Sequence, residues 1–255
     1  MLKRKLRSNV DHLLTAKRKA AEARLDILFS DDVPRPTNVQ ECIKYIRELV
    51  DWRQFCEKIP PIVIQSQLYS ILVDHTQIDN EINALRCQGH VVIIKLDAGY
   101  YGIVNKKEYL NTVKRQIEEL DLEKETGDGF IAFCTEGELD VELGGKQLLQ
   151  NLTEPQINTL VRSGYLTSEV TGMFYLSIPN ASLFLRTFND GLKSLKSIIK
   201  RSKFKEILLT ELLKKEGKKM KKLGNIYYSL HLIGAEVVKI VGTTSGPLLR
   251  YVEED

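Results

Sequence analysis

The stretch IVIQSQLYSILVDHTQIDNEINALRCQGHVVIIKLDAGYYGIV, residues 62–104, decides the fold. Gln65 to Ser70 fits a short helix. Thr76 can cap a second helix over 76–88, with Asp79 three positions on as a variant of the capping box. Ile78, Ile82 and Leu85 recur at i, i+4 and i+7 and give that helix one apolar face. Gly89 ends it, because the left-handed residue that closes a helix is least strained as glycine. His90 to Leu96 is rich in β-branched residues, Asp97-Ala98-Gly99 turns the chain, and Tyr100 to Val104 returns. Upstream, Thr37 can cap a helix whose stripe is Val39, Cys42, Ile43, Ile46, Leu49 and Val50, and Pro60-Pro61 closes the unit. Helix, short helix, helix and hairpin is the order of a winged helix, an order that other small α+β domains share.

The same order returns twice downstream. Residues 106–125 read as a polar helix with Tyr109, Val113, Ile117 and Leu120 on one side. Leu139 to Leu143 then fits a short strand, Gly144-Gly145 a turn and Gln147 to Gln150 a short helix. Thr153-Glu154-Pro155-Gln156 combines a cap, an early proline and a capping-box glutamine, and Gly164 ends that helix. Tyr165 to Ser168 and Phe174 to Ile178 bracket a turn at Thr171-Gly172. Residues 180–202 form a long helix lined by Phe184, Phe188, Leu192, Leu195 and Ile199, with Gly191 inside it at some cost. A third unit begins near Lys203, with helices expected over 204–213 and 227–233. Strands at 237–241 and 248–252 flank the turn Thr243 to Gly246.

The expected fold class is therefore α+β: three tandem winged-helix domains packed compactly and joined by helices. The apolar stripes on 106–125 and 180–202 require a buried partner, which argues against flexible tethers. The expected divisions are a basic, flexible arm at 1–35, a first unit with its connector at 36–125, a second with its long helix at 126–202, and a third at 203–255.

Net charge is only +3, but it is uneven. Residues 1–30 hold eight basic and three acidic side chains, whereas residues 120–160 hold nine acidic and two basic. From Ser197 to Lys222 there are ten basic residues, including Lys200, Arg201, Lys203, Lys214, Lys215, Lys218, Lys219 and Lys222, opposed by Glu206, Glu211 and Glu216. Concentrated cations on an ordered element suit a polyanion, and a solvated lysine-rich surface has the same composition. Lysine is a flexible point charge, less suited than arginine to bidentate base reading, so the run reads as a phosphate clamp for duplex DNA, with RNA as the alternative polyanion. Arg186 and Arg250 can border it, the latter from the terminal hairpin. The first unit's helix 76–88 exposes Gln77, Asn80, Glu81, Asn83 and Arg86, and its acids Asp79 and Glu81 suit a protein dock better than a groove reader. The competing class is an interaction adaptor without a DNA role, whose mark would be exposed apolar residues such as Met173, Phe174 or Tyr175.

Hydrophobic residues make up 43% of the chain, enough for real cores. The cysteines Cys42, Cys56, Cys87 and Cys134 are far apart, with no C-x-x-C pair, which favours reduced thiols. No secretory signal or membrane-length apolar run is present, so a soluble intracellular protein is expected. The clusters Lys3-Arg4-Lys5 and Lys17-Arg18-Lys19 fit either a nuclear import signal or a basic arm. His12, His75, His90 and His231 lack metal-ligand spacing, and the acids Glu136, Glu138, Asp140 and Glu142 read as a solvated face.

Three runs carry a resemblance: PPIV at 60–63 with SQLYS at 66–70, KFKEILLTELL at 203–213, and HLIGAEVVKIVGTTSGPLLR at 231–250. On these the chain resembles the serine/threonine-protein kinase 19 family from about Pro60 to Arg250. That family was named for a kinase and looks like a tandem winged-helix protein. The resemblance implies a nuclear DNA-binding factor of transcription-coupled nucleotide excision repair. It also implies RNA polymerase II, the Cockayne-syndrome repair proteins and TFIIH as partners, and no cofactor. It implies that Lys200 and Lys203 belong to a DNA-facing patch, with Arg186, Lys215, Lys222 and Arg250 keeping basic character. Glu216 and Gly217 interrupt that patch in this chain. Kinase chemistry itself fails on the sequence: there is no G-x-G-x-x-G, no H-R-D loop, no D-F-G and no G-x-x-x-x-G-K-[ST]. The chain is read as not an enzyme.

Overall fold

Local hydrogen bonding starts each element. The first helix, α1 (Val39–Glu48), is capped by Asn38, whose side chain accepts from Glu41 N at 2.9 Å. Thr37, expected as the cap, instead donates from its backbone and hydroxyl to the Glu41 carboxylate at 2.8 and 2.9 Å. The cap therefore sits one residue later, and Glu41 closes it from the other side. After a 3-10 turn at Trp52–Phe55 come β1 (Val63–Ile64) and α2 (Gln65–Ile71). Then follow α3 (His75–Cys87), β2 (Val91–Asp97) and β3 (Tyr100–Asn105). Asp74 caps α3 through Gln77 N, not Thr76; Asp79 is occupied by the Tyr69 hydroxyl at 2.6 Å and Gln65 Nε2 at 3.0 Å.

This computed structural model describes residues 35–97, 99–136, 139–215 and 217–252. The basic clusters and nearly all of the expected arm lie outside the described residues, as do Glu138 and Glu216.

The connector helix α4 spans Lys106–Glu119, and a separate helix, α5 (Lys124–Glu136), replaces the tail of the expected 106–125 helix. Asp121 breaks the two with φ 49°. The second unit continues with β4 (Leu143–Gly144), α6 (Gly145–Leu148), α7 (Glu154–Arg162), β5 (Leu166–Val170) and β6 (Met173–Leu176). Its predicted Thr153–Gln156 capping box is formed, with Thr153 N donating to Gln156 Oε1 at 2.8 Å. The strand expected over 139–143 is confined to Leu143–Gly144.

The third repeat differs most from expectation. Helix α8 runs from Ala181 to Arg201, and the chain then makes a 3-10 turn at Lys203–Lys205. Next come β7 (Glu206–Leu208), α9 (Leu209–Lys214), α10 (Asn225–Gly234), β8 (Val238–Thr243) and β9 (Gly246–Tyr251). The expected helix over 204–213 is thus a turn, a strand and a short helix. Its apolar run Ile207-Leu208-Leu209 fits either period, and the open edge of β9 decides the matter by pairing with β7.

Among the described residues there are three antiparallel sheets, ordered β1-β3-β2, β4-β6-β5 and β7-β9-β8. Each is preceded by a helix and carries two further helices between its first and second strands, so the fold is three tandem winged helices. The buried residues form one contiguous core across all three. Between first and third units, α2 packs on α10 so closely that a Cβ on Gly234 would lie 1.7 Å from Ser66 O. Tyr227 OH donates to Ile62 O at 2.6 Å, and Gln67 Nε2 donates to Tyr227 O at 2.9 Å. Tyr109 OH of the connector α4 donates to Ser177 O of the second unit at 3.1 Å, and Arg86 of the first unit pairs with Asp140 of the second at 2.6 Å. Gly191 lies inside α8 for a reason: a Cβ there would meet the Tyr228 hydroxyl at 2.1 Å.

Candidate nucleic-acid interface

Helix α8 buries Phe184, Phe188, Leu192, Leu195 and Ile199 and turns the opposite side to solvent. Arg186, Lys193 and Lys200, seven residues apart, are all exposed on that side. At about 1.5 Å per residue they form a line roughly 21 Å long. Lys200 and Arg201 also complete the helix, because cations at a C-terminus oppose its partial negative charge. The Lys200 ammonium rests 4.4 Å from the Tyr251 ring centroid, and that of Lys203 lies 5.1 Å from Phe204.

On the outer face of the third sheet, the register places Arg250 between Glu206 and Lys239. Arg250 ion-pairs with Glu206, so its charge is partly offset. It lies within β9 of the terminal hairpin, away from the tip at Thr244-Ser245. Arg250 and Tyr251 point to opposite faces of the strand, so Lys200 and the Arg250–Lys239 pair flank one strand end from two sides. Lys239 was not singled out from the sequence. The signal was present: pairing of Thr243 with Gly246 across the expected turn sets Lys239 opposite Arg250. Lys193 was legible too, from its seven-residue spacing.

The second half of the basic run lies elsewhere. Lys214 ends α9, and Asn225 Nδ2 closes that end by donating to Leu212 O at 2.8 Å and Lys215 O at 2.9 Å. The loop that follows is pinned by buried Met220 and Leu223, leaving Lys218, Lys219, Lys221 and Lys222 exposed. Lys222 leans on the first unit, its ammonium 5.5 Å from the Phe55 ring, and its carbonyl accepts from Gln54. Arg186 belongs to this end of α8, since Phe184 stacks on Trp52 at 6.3 Å and Trp52 in turn neighbours Phe55 at 5.8 Å. The cations therefore make a band with two ends: Lys200, Arg201, Lys203, Lys239 and Arg250 at one, Arg186 and the Lys218–Lys222 loop at the other.

The nominal reading helix of the third unit, α10, is unavailable to a groove, because every residue from Tyr227 to Gly234 is buried. Within it His231 packs 5.0 Å from Phe188 and sets Nδ1 2.7 Å from Ser66 Oγ. Burial, aided by the charge of Lys196, lowers its pKa to about 4. In the first unit α3 does expose Gln77, Asn80 and Asn83. Two residues expected beside them are engaged. Glu81 accepts from Val39 N at 3.0 Å, and Arg86 is held by Asp140 and Leu139 O.

Met173 and Phe174 are half-buried and Tyr175 is buried, so these hairpin residues do not form the apolar surface an adaptor would show; Val170 at the same hairpin is 64% exposed. Within the acidic segment Asp140 pairs with Arg86, and Glu142 accepts from Tyr175 OH at 3.3 Å. Among the described residues no three histidine, cysteine or acidic side chains gather to hold a metal, and no helix is long and apolar enough to cross a membrane. All four cysteines are free; burial pushes the Cys42 and Cys134 thiols up, away from thiolate reactivity.

The chain is 30% identical over 224 residues to the Homo sapiens protein named winged helix repair factor 1, covering 86% of this chain and 87% of that one. The Mus musculus protein of that name is 31% identical over 220 residues, covering 85% and 86% respectively. The Xenopus laevis protein is 30% identical over 223 residues, covering 83% and 82%. The model of the family described as inactive serine-threonine protein kinase 19 matches residues 42–251, starting ahead of the resemblance that begins at Pro60. A family described as inactive bears out the reading that the chain is not an enzyme. With its three winged helices and this match over most of its length, the chain belongs to the inactive serine-threonine protein kinase 19 family.

Proposed function

We propose that this protein is a nuclear, non-enzymatic repair factor that holds duplex DNA by its phosphates and reads little sequence. The observation that carries this is the pairing of an exposed cationic band along α8 and the third unit with a buried α10. A winged helix whose third helix is buried has no helix to insert, while lysines exposed on its surface can neutralise phosphates. The site comprises Lys200, Arg201 and Lys203 first, then Arg186, Lys214, Lys215, Lys218, Lys219, Lys222 and Arg250, to which Lys193 and Lys239 are added. The unit limits that fit this reading are 36–105, 124–178 and 181–252, with α4 as a connector, in place of divisions at 125/126 and 202/203. The names of the curated relatives support a repair role. Action in transcription-coupled nucleotide excision repair, bridging RNA polymerase II, the Cockayne-syndrome proteins and TFIIH to DNA, rests on the family resemblance.

The test is Lys200→Glu, Arg201→Glu and Lys203→Glu together, on several unrelated duplexes at two salt concentrations. Wild type should bind all of them comparably and weaken steeply with salt. The log–log salt slope should fall by about 0.9 for each phosphate contact removed. A folded triple variant that binds as tightly as wild type would leave these residues as a solvated surface. A protein-docking role for the second unit has its own observation, the exposed Val170 and Leu149. Cross-linking from Val170→Cys in nuclease-treated extract distinguishes a direct protein contact from one bridged by DNA.

A further inference from the structure

Phe204 is the most exposed large apolar side chain among the described residues, at 77%. It stands at φ 58° and Lys205 follows at φ 56°, two consecutive non-glycine residues in the left-handed region. Such backbone strain persists only where the flanks impose it. Here α8 ends on one side, β7 pairs with β9 on the other, and Lys205 N donates to Ser202 O at 2.9 Å. The fold gains no burial from this turn, which pushes an aromatic ring out into water. Exposed Lys200, Arg201 and Lys203 precede the ring, and Lys203 Nζ lies 5.1 Å from its centroid. The nearest acid in sequence, Glu206, is engaged by Arg250.

An exposed aromatic ring among cations is the arrangement that binds unpaired nucleic acid: bases stack on the ring while ammonium groups neutralise the flanking phosphates. The core of a protein interface is depleted of charge and surrounds such an anchor with further apolar side chains, whereas the residues beside this ring are the exposed cations Lys200, Arg201 and Lys203. A fully paired duplex keeps its base faces inside the stack, so the ring has no face to meet there. We propose that Phe204 stacks on an unpaired nucleobase, which places the Lys200–Lys203 end of the band at a junction between paired and unpaired DNA. This rests on the nucleic-acid reading above and adds a ligand to it.

The test uses the full chain as wild type, Phe204→Ala and Phe204→Trp, on two DNAs of equal length. One is fully paired; the other has a central run of unpaired bases containing 2-aminopurine. Phe204→Ala should weaken binding to the second DNA roughly 5- to 150-fold and leave the paired duplex essentially unchanged. Phe204→Trp should retain wild-type binding. The 2-aminopurine fluorescence change on binding wild type should vanish with alanine. Equal binding of Phe204→Ala and wild type to the unpaired DNA overturns the proposal, as it would if the ring docks protein. Equal weakening on both DNAs also overturns it. Failure of wild type to bind either DNA is a different result, which removes the nucleic-acid reading itself.

Discussion

Lys95 shows how one side chain can join two units. It extends from β2 of the first unit, is nearly inaccessible, ion-pairs with Glu169 on β5, and lies 3.9 Å from the Tyr175 ring centroid and 5.9 Å from that of Tyr101. Burial alone would lower its pKa; the Glu169 hydrogen bond and charge, with the two tyrosines, outweigh that and hold it raised. A desolvated cation over a ring is worth about 2 kcal/mol, whereas a half-exposed ion pair is worth under about 1 kcal/mol. Lys95→Ala should therefore destabilise by about 1–2 kcal/mol and Glu169→Ala by less, measured by urea denaturation. Equal losses would assign the contact to the ion pair instead of the ring. Gly191 is the second residue-scale case. Alanine in a helix interior normally gains about 1 kcal/mol over glycine. At 2.1 Å from the Tyr228 hydroxyl the clash should win, and Gly191→Ala should cost about 2–3 kcal/mol by the same measurement.

At the scale of elements, the α2–α10 contact is the seam of the molecule. His231 sits in it with a folded pKa of about 4, against about 6.5 when unfolded. A depressed pKa means that the unfolded chain binds the proton first. The stability this neutral histidine contributes is full above pH 6.5 and is lost as pH falls toward 4, to a total of about 3 kcal/mol. Urea midpoints between pH 7 and 4 should fall for wild type and lose much of that slope in His231→Gln. An unchanged slope would place the acid sensitivity elsewhere. Elements also explain the base of the third hairpin. β7 pairs with β9 directly after the turn at Phe204, and that turn sets Lys203 beside an exposed ring.

For the whole molecule, the contiguous core implies that the three units do not melt one by one. Near- and far-ultraviolet circular dichroism should report coincident unfolding transitions, the signature of a two-state change. Gly234→Ala, whose Cβ would strike Ser66 O at 1.7 Å, should separate the transitions by forcing α10 from α2. Coincident transitions in that variant would show that the seam is not what couples the units. The same arrangement gives the cationic band its length, because Lys222 is held against the first unit by Phe55 and Gln54 while Lys200 is held at Tyr251.

The order of helices and hairpins was legible because it rests on local physics. Ile78, Ile82 and Leu85 repeat with the period of a helix, Thr153 and Gln156 close a cap within one turn, and the Thr243–Gly246 turn sets the register that pairs Lys239 with Arg250. The missing kinase motifs and the type of charge in the basic run were legible for the same reason. What the sequence by itself could not settle depended on partners distant along the chain. Residues 204–213 carry a helical period, yet 206–208 became a strand because β9, some forty positions away, offered unpaired backbone groups. The hydrophobic face of α10 looks like that of any third helix, and its packing on Ser66 and Gln67 of α2 and on Phe188 and Gly191 of α8 removes it from solvent. One lysine-rich run became two ends of a band because Met220 and Leu223 anchor its second half beside Phe55. Periodicity acts over a few residues, but strand pairing and contact between units act through space, and those contacts decided which cations stand together.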